Sequence, residues 1–405
     1  MRKITLLILL LSFLKVNGQL PSDSVEANYL RKEGINITEG NSVRLLTNGH
    51  AKFEDMFQEI RRAKDFIHME YFNFRNDSIN HLLTTLLTEK VKEGVEVRVI
   101  YDDFGNLSNN QPIKKHQHDS IAALGIQIVK FDPIKFPWVN HIFPRDHRKI
   151  VVIDGRVGYT GGMNVADYYI DGLPEIGPWR DLHLHLEGPV VRELHEIFLN
   201  MWEEVTGEHL LRGVYSPEFP AAGEAKVAIV DRWPHKTPKS IRKLYVSMLD
   251  NAQESIQIIN PYFVPTHQVR AALKRAIDRG IDVQILLSAQ SDIVLTPDAS
   301  HYFGNNLAKR GAKVYLFHKG FHHTKAMIVD HRFCTIGSSN LDSRSLRCDY
   351  EVNAVIMDHD ATAQLDSIFQ NDLTSSTLMQ PGDWKKRSLG KRFVGWFGNL
   401  LTPFL

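Results

Sequence analysis

The sequence predicts an α/β fold made of two similar halves that share one site, and three observations carry that expectation. Stretches with the period of strands alternate with stretches with the period of helices, as in layered α/β domains. A pattern HxKxxxxD followed by a Gly-rich turn ending in asparagine occurs twice, as HRKIVVIDGRVGYTGGMN at 147–164 and within HHTKAMIVDHRFCTIGSSN at 322–340. Flanking segments also match at a slowly drifting offset: Ala63 with Ala252 at 189, Gly94 with Gly280 at 186, His147 with His323 at 176. Such drift describes a duplication with loop insertions, the largest at 131–146.

Taken in order, the chain opens with MRKITLLILLLSFLKVNGQ, where Arg2 and Lys3 precede an apolar run at 4–14 and Gly18 precedes Gln19. This reads as a signal peptide over 1–18 that makes the protein exported; an eleven-residue run is short for a membrane span, so a permanent anchor is the alternative. The first half is expected over 30–211. It begins with a short strand at 43–46 and a helix at 53–63 that turns Phe53, Met56, Phe57 and Ile60 inward. A strand at 66–71 follows, then a helix at 79–93 with Leu82, Leu83, Leu86 and Leu87 inward, ended by Gly94, and a strand at 95–101. RGVYSPEFPAAG at 212–223 gathers Pro and Gly, loses periodicity and reads as the linker. The second half, 224–380, repeats the plan: LDNAQESIQII answers IRRAKDFIHME, and RGIDVQILL answers EGVEVRVIY.

The C-terminal segment 381–405 is basic and amphipathic. Leu389, Phe393, Trp396 and Leu400 recur at helical spacing among Lys385, Lys386, Arg387, Lys391 and Arg392, the signature of a helix lying at a membrane interface. Gly390, Gly395 and Gly398 weaken that helix, and docking on the body is the alternative. The insertion at 131–145 places Phe136, Trp138, Ile142 and Phe143 among Lys135 and Arg145 just before His147. It suits either a lipid-facing cleft mouth or a packed loop.

Composition bounds the function. With 43% hydrophobic and 23% charged residues the chain can bury a sizeable core, and a net charge of +1 gives no polyanion-binding signature, so nucleic acid is not an expected partner. Cys334 and Cys348 read as two buried thiols.

The chemistry sits in the repeat. Histidine and lysine two apart on a strand project from one face, while IVVI and AMIV run into the core. The Gly-rich turn permits close backbone approach, and its asparagine adds an amide donor. Each copy therefore offers donors to an anion: Lys149 and Asn164 in the first, Lys325 and Asn340 in the second, with Ser338 adding a hydroxyl where the first copy has Gly162. Doubled, the cradle suits a phosphodiester. One neutral imidazole can attack phosphorus while a protonated one hands a proton to the leaving oxygen, and no cofactor or metal is called for. His183 and His185 alternate on DLHLHLE, but no third ligand stands at a zinc-like spacing, so a half-buried strand face is expected. Glu70 ends its strand facing either the site or a charge partner.

These motifs, with IHMEYFNFRND, EGVEVRVIYDD, PWRDLHLHLEGP, NPYFVP, SSNLDSRSL and DYEVNA, resemble the phospholipase D superfamily and, within it, the bacterial cardiolipin synthase branch, over about residues 40–358. The resemblance implies two phospholipase D-like α/β/α sandwich halves about a pseudo-twofold axis, with His147 opposite His323. It counts His147, Lys149, Asp154, His323, Lys325 and Asp330 as the catalytic set. As residues, Asp154 and Asp330 are expected to brace the turns between the halves, since a carboxylate beside phosphoryl oxygens would repel them. It also implies that Asp181 and Glu351 orient the histidines; an ordinary salt bridge to Arg180 or Arg347 is the alternative.

The implied activity is a phosphatidyltransferase that joins two phosphatidylglycerol molecules into cardiolipin and glycerol through a phosphatidyl-histidine, with His147 as nucleophile and His323 as acid and base. Phosphatidylethanolamine is a further candidate substrate. The implied place is the periplasmic or outer face of a bacterial cytoplasmic membrane, on its surface or held by the leader. A phospholipase D-type hydrolase is the alternative, with a nuclease and a catalytically inactive lipid-binding protein behind it.

Overall fold

The computed structural model describes residues 20–137, 143–215, 219–293 and 296–400, the last four in backbone only. The expected leader, and Trp138 and Ile142 of the insertion, lie outside the described residues. The first half contributes β1 (Ile37–Leu46), β2 (Phe66–Tyr71), β3 (Glu96–Asp102), β4 (Gln127–Phe131), β5 (Lys149–Ile153), β6 (Val157–Gly161), β7 (Trp179–Arg180) and β8 (His183–Glu187). The second contributes β9 (Ala225–Arg232), β10 (Ser255–Ile259), β11 (Asp282–Ser288), β12 (Lys313–Phe317), β13 (Phe321–His322), β14 (Ala326–Val329), β15 (Phe333–Gly337), β16 (Glu351–Met357) and β17 (Ser376–Leu378).

Fifteen strands form one continuous sheet in the order β17-β12-β11-β10-β14-β15-β16-β9-β1-β8-β6-β5-β2-β3-β4. Outward from the central pair, β1-β8-β6-β5-β2-β3-β4 and β9-β16-β15-β14-β10-β11-β12 run through the same sequence of elements, which is the duplication in three dimensions. The halves join edge to edge, with antiparallel β1 and β9 pairing Ile37 with Ala228. Covering each half's inner sheet edge with the other removes two exposed strand edges at once.

Local sequence sets the helices. Asn48 caps Gly49–Arg62 by accepting from the amide of Ala51 at 2.9 Å, and Asp77 caps Ser78–Lys92 through Asn80. Gly94 ends the latter at a φ of 93°, which a side chain would resist. Phe53, Met56 and Ile60 are buried as their spacing requires, and so are Leu83, Leu86 and Leu87. Leu82, expected inward, is 59% exposed, because the inward stripe follows positions 79, 83, 86 and 87 and leaves 82 on its far side. Each fully buried leucine in such a stripe stabilises the fold by roughly 1.5–3 kcal/mol.

One core runs beneath both central strands, where the helix Val190–Thr206 lays Leu194, Phe198 and Trp202 against residues of both halves, including Val227, Val352 and Ile336. Two further cores fill the opposite faces, one per half. The expected linker holds a short 3-10 turn, Arg212–Tyr215, anchored where the Tyr215 hydroxyl donates to Glu96 at 2.9 Å. Both cysteines are free thiols, Cys334 buried in β15 and Cys348 half-buried outside any strand. The C-terminal helix, Leu389–Leu400, packs on Thr296–Ala308 while Leu389, Phe393 and Trp396 stay exposed. Among the described residues no helix is long and apolar enough to cross a membrane.

Candidate active site

The two histidines stand just before β5 and just before β14, at the seam, and the backbone ties each of them to the opposite half. The amide of His147 donates to the carbonyl of Tyr350 at 3.0 Å, and the amide of Tyr350 donates back to the carbonyl of Arg145 at 2.8 Å. Across the pseudo-axis, parallel β7 and β13 pair Phe321 with Trp179, and the amide of His323 donates to the carbonyl of Arg180 at 2.7 Å. Each histidine is thus set beside the residue that precedes the other half's acidic position.

The carboxylates cross over as a result. Nδ1 of His147 lies 3.0 Å from Glu351, and Nδ1 of His323 lies 2.7 Å from Asp181. With Nδ1 occupied in both rings, Nε2 is the nitrogen left for a substrate. Arg180, the alternative partner for Asp181, goes instead to Asp372 at 2.8 Å. Glu351 and Asp181 are both wholly buried.

Lys149 and Lys325 are also buried, and each Nζ donates to the backbone carbonyl of its own half's histidine. That bond uses one of three ammonium donors and fixes the side chain beside the ring. Burial pushes the two ammonium groups down to about 7 for Lys149 and about 8 for Lys325, against the pull of Glu351 and Asp181. Burial, then the two lysines, holds His147 well below its ordinary value; burial and Lys325 lower His323, with Asp181 opposing them. Burial alone would raise Asp181, but His323 and Lys325 outweigh it and keep that carboxyl below its usual range, whereas burial leaves Glu351 above its own. A bound phosphodiester anion moves every one of these imidazoles and ammoniums back toward its charged form.

Three expectations need correction. Ser338 does not point its hydroxyl at an anion: Oγ donates to Glu351 and accepts from the amide of Val352 at 3.0 Å, so it holds the carboxylate that holds His147. At the matching place a Cβ on Gly162 would meet Asp181 at 2.2 Å, so that half uses a glycine and a shorter acid where the other uses serine and a longer one. Asp154 and Asp330 are not at the site and do not brace the two halves against each other. They sit at the far ends of β5 and β14, about 16 Å along the strand in the case of Lys149 to Asp154. Asp154 accepts the amides of Lys64, Asp65 and Phe66 at 2.8–3.0 Å; Asp330 accepts those of Gln253, Glu254 and Ser255 at 2.7–2.9 Å. Each brace lies within its own half. His183 and His185 are fully buried rather than half-buried. His183 accepts from the amide of Met163, as Asn353 does from Ser339, and His185 is bound to Asp55 at 2.6 Å.

The asparagines are unequal. Asn164 accepts from the amide of Asn73 and donates to the hydroxyl of Tyr169 at 3.1 Å, leaving one N–H; Asn340 has its side-chain oxygen buried without a partner. Glu70 faces neither phosphate nor solvent. It lies 3.5 Å from buried Arg148, which also approaches Asp146 and Asp231 at 3.6 Å and joins the halves beneath His147.

Residues that sequence reasoning missed line the walls. The rings of Trp179, Phe321, Tyr262 and Tyr169 surround His323 at 5.4–6.4 Å, while Phe72 meets His147 edge-on at 4.9 Å. Arg344 lies over Phe72 and Phe143, and Asp292 accepts from the Tyr262 hydroxyl at 2.6 Å. PWRD and NPYFVP carried Trp179 and Tyr262, but nothing in their spacing said which wall they face. Wholly buried Lys52 donates to the carbonyl of Asn164 at 3.2 Å and had no motif to mark it. The whole arrangement can accept one negatively charged tetrahedral centre between two imidazole Nε2 atoms and two ammonium groups.

The family model for "Cardiolipin synthase, PLD-like domain" matches residues 56–202 and 245–373. The chain is 36% identical over 378 residues to the probable cardiolipin synthase YwiE of Bacillus subtilis (strain 168), covering 93% of this chain and 75% of that one. It is 38% identical over 365 residues to a cardiolipin synthase of Geobacillus sp. (strain WCH70), covering 89% and 72%. In fold it is similar to the crystal structure of phosphatidylserine synthase from Haemophilus influenzae Rd KW20, with a TM-score of 0.73 and 13% identity over 95% of this chain and all of that one. The chain belongs to the phospholipase D superfamily, in the family of cardiolipin synthase PLD-like domains.

Proposed function

We propose that the protein is a phosphatidyltransferase that converts two molecules of phosphatidylglycerol to cardiolipin and glycerol. The observation that carries the reading is the crossed pair His147–Glu351 and His323–Asp181 closing over Lys149 and Lys325. The names of its relatives point to the same reaction.

In the first step Nε2 of His147 attacks the phosphorus of the donor lipid, the P–O bond to glycerol breaks, and His323 gives that oxygen a proton. In the second, neutral His323 takes the proton from a hydroxyl of the acceptor phosphatidylglycerol, the new P–O bond forms, and the N–P bond to His147 breaks. The division of labour rests on the unequal pull on the two rings. Burial lowers both imidazoles, but Asp181 opposes the shift at His323, whereas burial and both lysines press His147 well below its ordinary value. The lysines and the remaining N–H of Asn164 hold the charge of the five-coordinate transition state.

Phosphatidylethanolamine is proposed as a further lipid substrate, and the membrane surface as the place of action. The N-terminal sequence supports export to the outer face of a bacterial cytoplasmic membrane, on the surface or held by the leader.

The test is mass spectrometry of lipids after the purified protein meets phosphatidylglycerol vesicles, with and without phosphatidylethanolamine, beside His147→Ala and His323→Ala. Cardiolipin plus glycerol, absent with both variants, is the expected result. Phosphatidic acid alone would make the protein a hydrolase.

A further inference from the structure

The C-terminal helix turns two different faces to two different surroundings. Against the body it comes close: a Cβ on Gly395 would fall 2.7 Å from the carbonyl of Asp298 and 2.4 Å from the ring of Trp384, so the glycine that weakens the helix by propensity is what lets it seat. Arg387 pins the approach by pairing with Asp298 at 3.1 Å. On the opposite side Leu389, Phe393 and Trp396, at i, i+4 and i+7, are 79%, 60% and 47% exposed. Monomeric proteins rarely expose three large apolar side chains on one helical stripe without a use for them.

Charge says what that use is. From Trp384 onward the sequence carries Lys385, Lys386, Arg387, Lys391 and Arg392 and no aspartate or glutamate; Lys386 pairs with Asp383 at 2.9 Å and Arg387 with Asp298, and Lys391 and Arg392 flank the exposed stripe itself. The basic character continues on the other flank of Thr296–Ala308. There His267, Arg270 and Lys274 of one helical face line a groove of about 320 Å³ floored by Tyr302 and Phe303, with no carboxylate among the described residues of its lining. Tyr302 meets Trp384 edge-on at 5.6 Å, which joins groove and C-terminal segment into one surface.

Position says why. Asp298, under Gly395, lies in the first turn of its helix, and six residues before it Asp292 accepts from Tyr262, whose ring is 5.9 Å from that of His323. Ile293, beside Asp292, is exposed as well. The C-terminal helix thus packs on the first turn of Thr296–Ala308, six residues along the chain from Asp292.

We infer that the exposed stripe of Leu389–Leu400, with its flanking lysines and arginines, is the docking face for an anionic phospholipid bilayer and holds the His323 side of the cleft toward the lipid. Rings and leucine enter the interfacial region while the cations meet lipid phosphates. The inference rests on the lipid-transfer reading and specifies where the protein meets its substrate surface.

Vesicle flotation of the full mature chain tests it, with vesicles of phosphatidylcholine alone or with phosphatidylglycerol added. Wild type should float with the anionic vesicles at low salt. A Phe393→Ser/Trp396→Ser double variant and a Lys391→Glu/Arg392→Glu double variant should each lose at least ten-fold in partitioning, while Leu82→Ser, an exposed leucine elsewhere, should not. Cardiolipin formation from dispersed short-chain phosphatidylglycerol should stay within about two-fold of wild type in all variants and fall only on vesicles. Unchanged flotation of both double variants would overturn the inference. So would equal loss on dispersed and vesicular substrate, which would make the helix a structural part. Flotation that follows the expected pattern in a protein that makes no cardiolipin from either substrate would uphold the docking face and sink the transferase reading alone.

Discussion

Nδ1 of His147 lies 3.0 Å from a carboxylate oxygen of Glu351, and the two residues come from different halves of the duplicated chain. The mirror contact, His323 with Asp181, makes the exchange reciprocal. Neither half therefore holds a complete catalytic unit. Replacing Glu351 by Gln should lower kcat about 100-fold or more, and Asp181 by Asn similarly, since an orienting carboxylate fixes tautomer and steadies the imidazolium. A structural role alone would not move the imidazole resonances selectively. In nitrogen-resolved NMR the Nδ1 signal of His147 should change with Glu351→Gln and not with Asp181→Asn, and His323 should show the reverse. Both histidines responding alike to one substitution would contradict the crossing.

The pH dependence has a definite sign on each limb. As pH rises the free enzyme first loses the proton of the general acid His323, below the ordinary histidine range, and then, through about 7 to 8, the charges of Lys149 and Lys325, so its hold on the phosphodiester weakens and KM rises. A bound anion raises both groups, so kcat should persist to higher pH than kcat/KM. On the acid side activity falls once His147 takes up a proton, and burial with two neighbouring lysines places that event well below the ordinary histidine range. The measurement is kcat and kcat/KM from pH 5 to 10 on dispersed substrate. A kcat/KM profile without an alkaline limb would refute the role given to the lysines.

Gly162 and Ser338 occupy matching places and should respond unequally to substitution. A methyl group at 162 would overlap Asp181 at 2.2 Å, with no flexible neighbour to yield because Asp181 is bound to both His323 and the amide of Leu182. Gly162→Ala is expected to lower kcat about 100-fold. Ser338→Gly removes one hydrogen bond to Glu351 and leaves room, for a loss of about ten-fold, near the 1–1.5 kcal/mol such a bond contributes. Equal effects of the two substitutions would mean that the acids are not held as described.

How much of this the sequence disclosed depends on the range of the interaction involved. Duplication and the alternation of strand and helix were legible because each leaves a periodic or repeated trace in the text. The histidines, lysines and turn asparagines were legible because spacing within one strand and turn fixes which side chains share a face. The crossing of the carboxylates was not, since it depends on backbone pairing between residues 203 and 143 apart, Tyr350 beside His147 and Arg180 beside His323. The hydroxyl of Ser338 was misplaced for the same reason: its acceptor is set by the neighbouring strand β16. Leu82 went wrong at shorter range, where four leucines in six residues overfill one stripe of a helix.

Chelation should leave the reaction intact. The charge that a divalent ion would supply at the phosphodiester is provided by Lys149 and Lys325, both buried beside the histidines. Dispersed short-chain phosphatidylglycerol is the substrate of choice, because divalent ions also alter the packing of anionic vesicles. Activity within two-fold of the untreated enzyme in excess EDTA is expected. Complete loss, restored by one divalent ion on the dispersed substrate, would overturn the two-imidazole chemistry.

The motif's aspartates stand apart from its chemistry. Asp154 and Asp330 both adopt a φ of 52°, and each gathers three successive backbone amides at the start of β2 or β10. Those amides would otherwise lie at a strand entry without acceptors, so the carboxylate fixes where the strand next to β5 or β14 begins. Hydrogen bonds to a charged acceptor contribute about 1.5–3 kcal/mol each at most, and three on one group do not add fully. Asp154→Ala should therefore lower unfolding stability by about 3 kcal/mol, with Asp330→Ala close to it. The kcat of the protein that remains folded should stay within a few-fold of wild type. Denaturant unfolding alongside active-site titration measures both quantities on one sample. A variant with wild-type stability and a kcat lowered 1,000-fold would return these residues to the reaction centre, against a separation of about 16 Å along the strand.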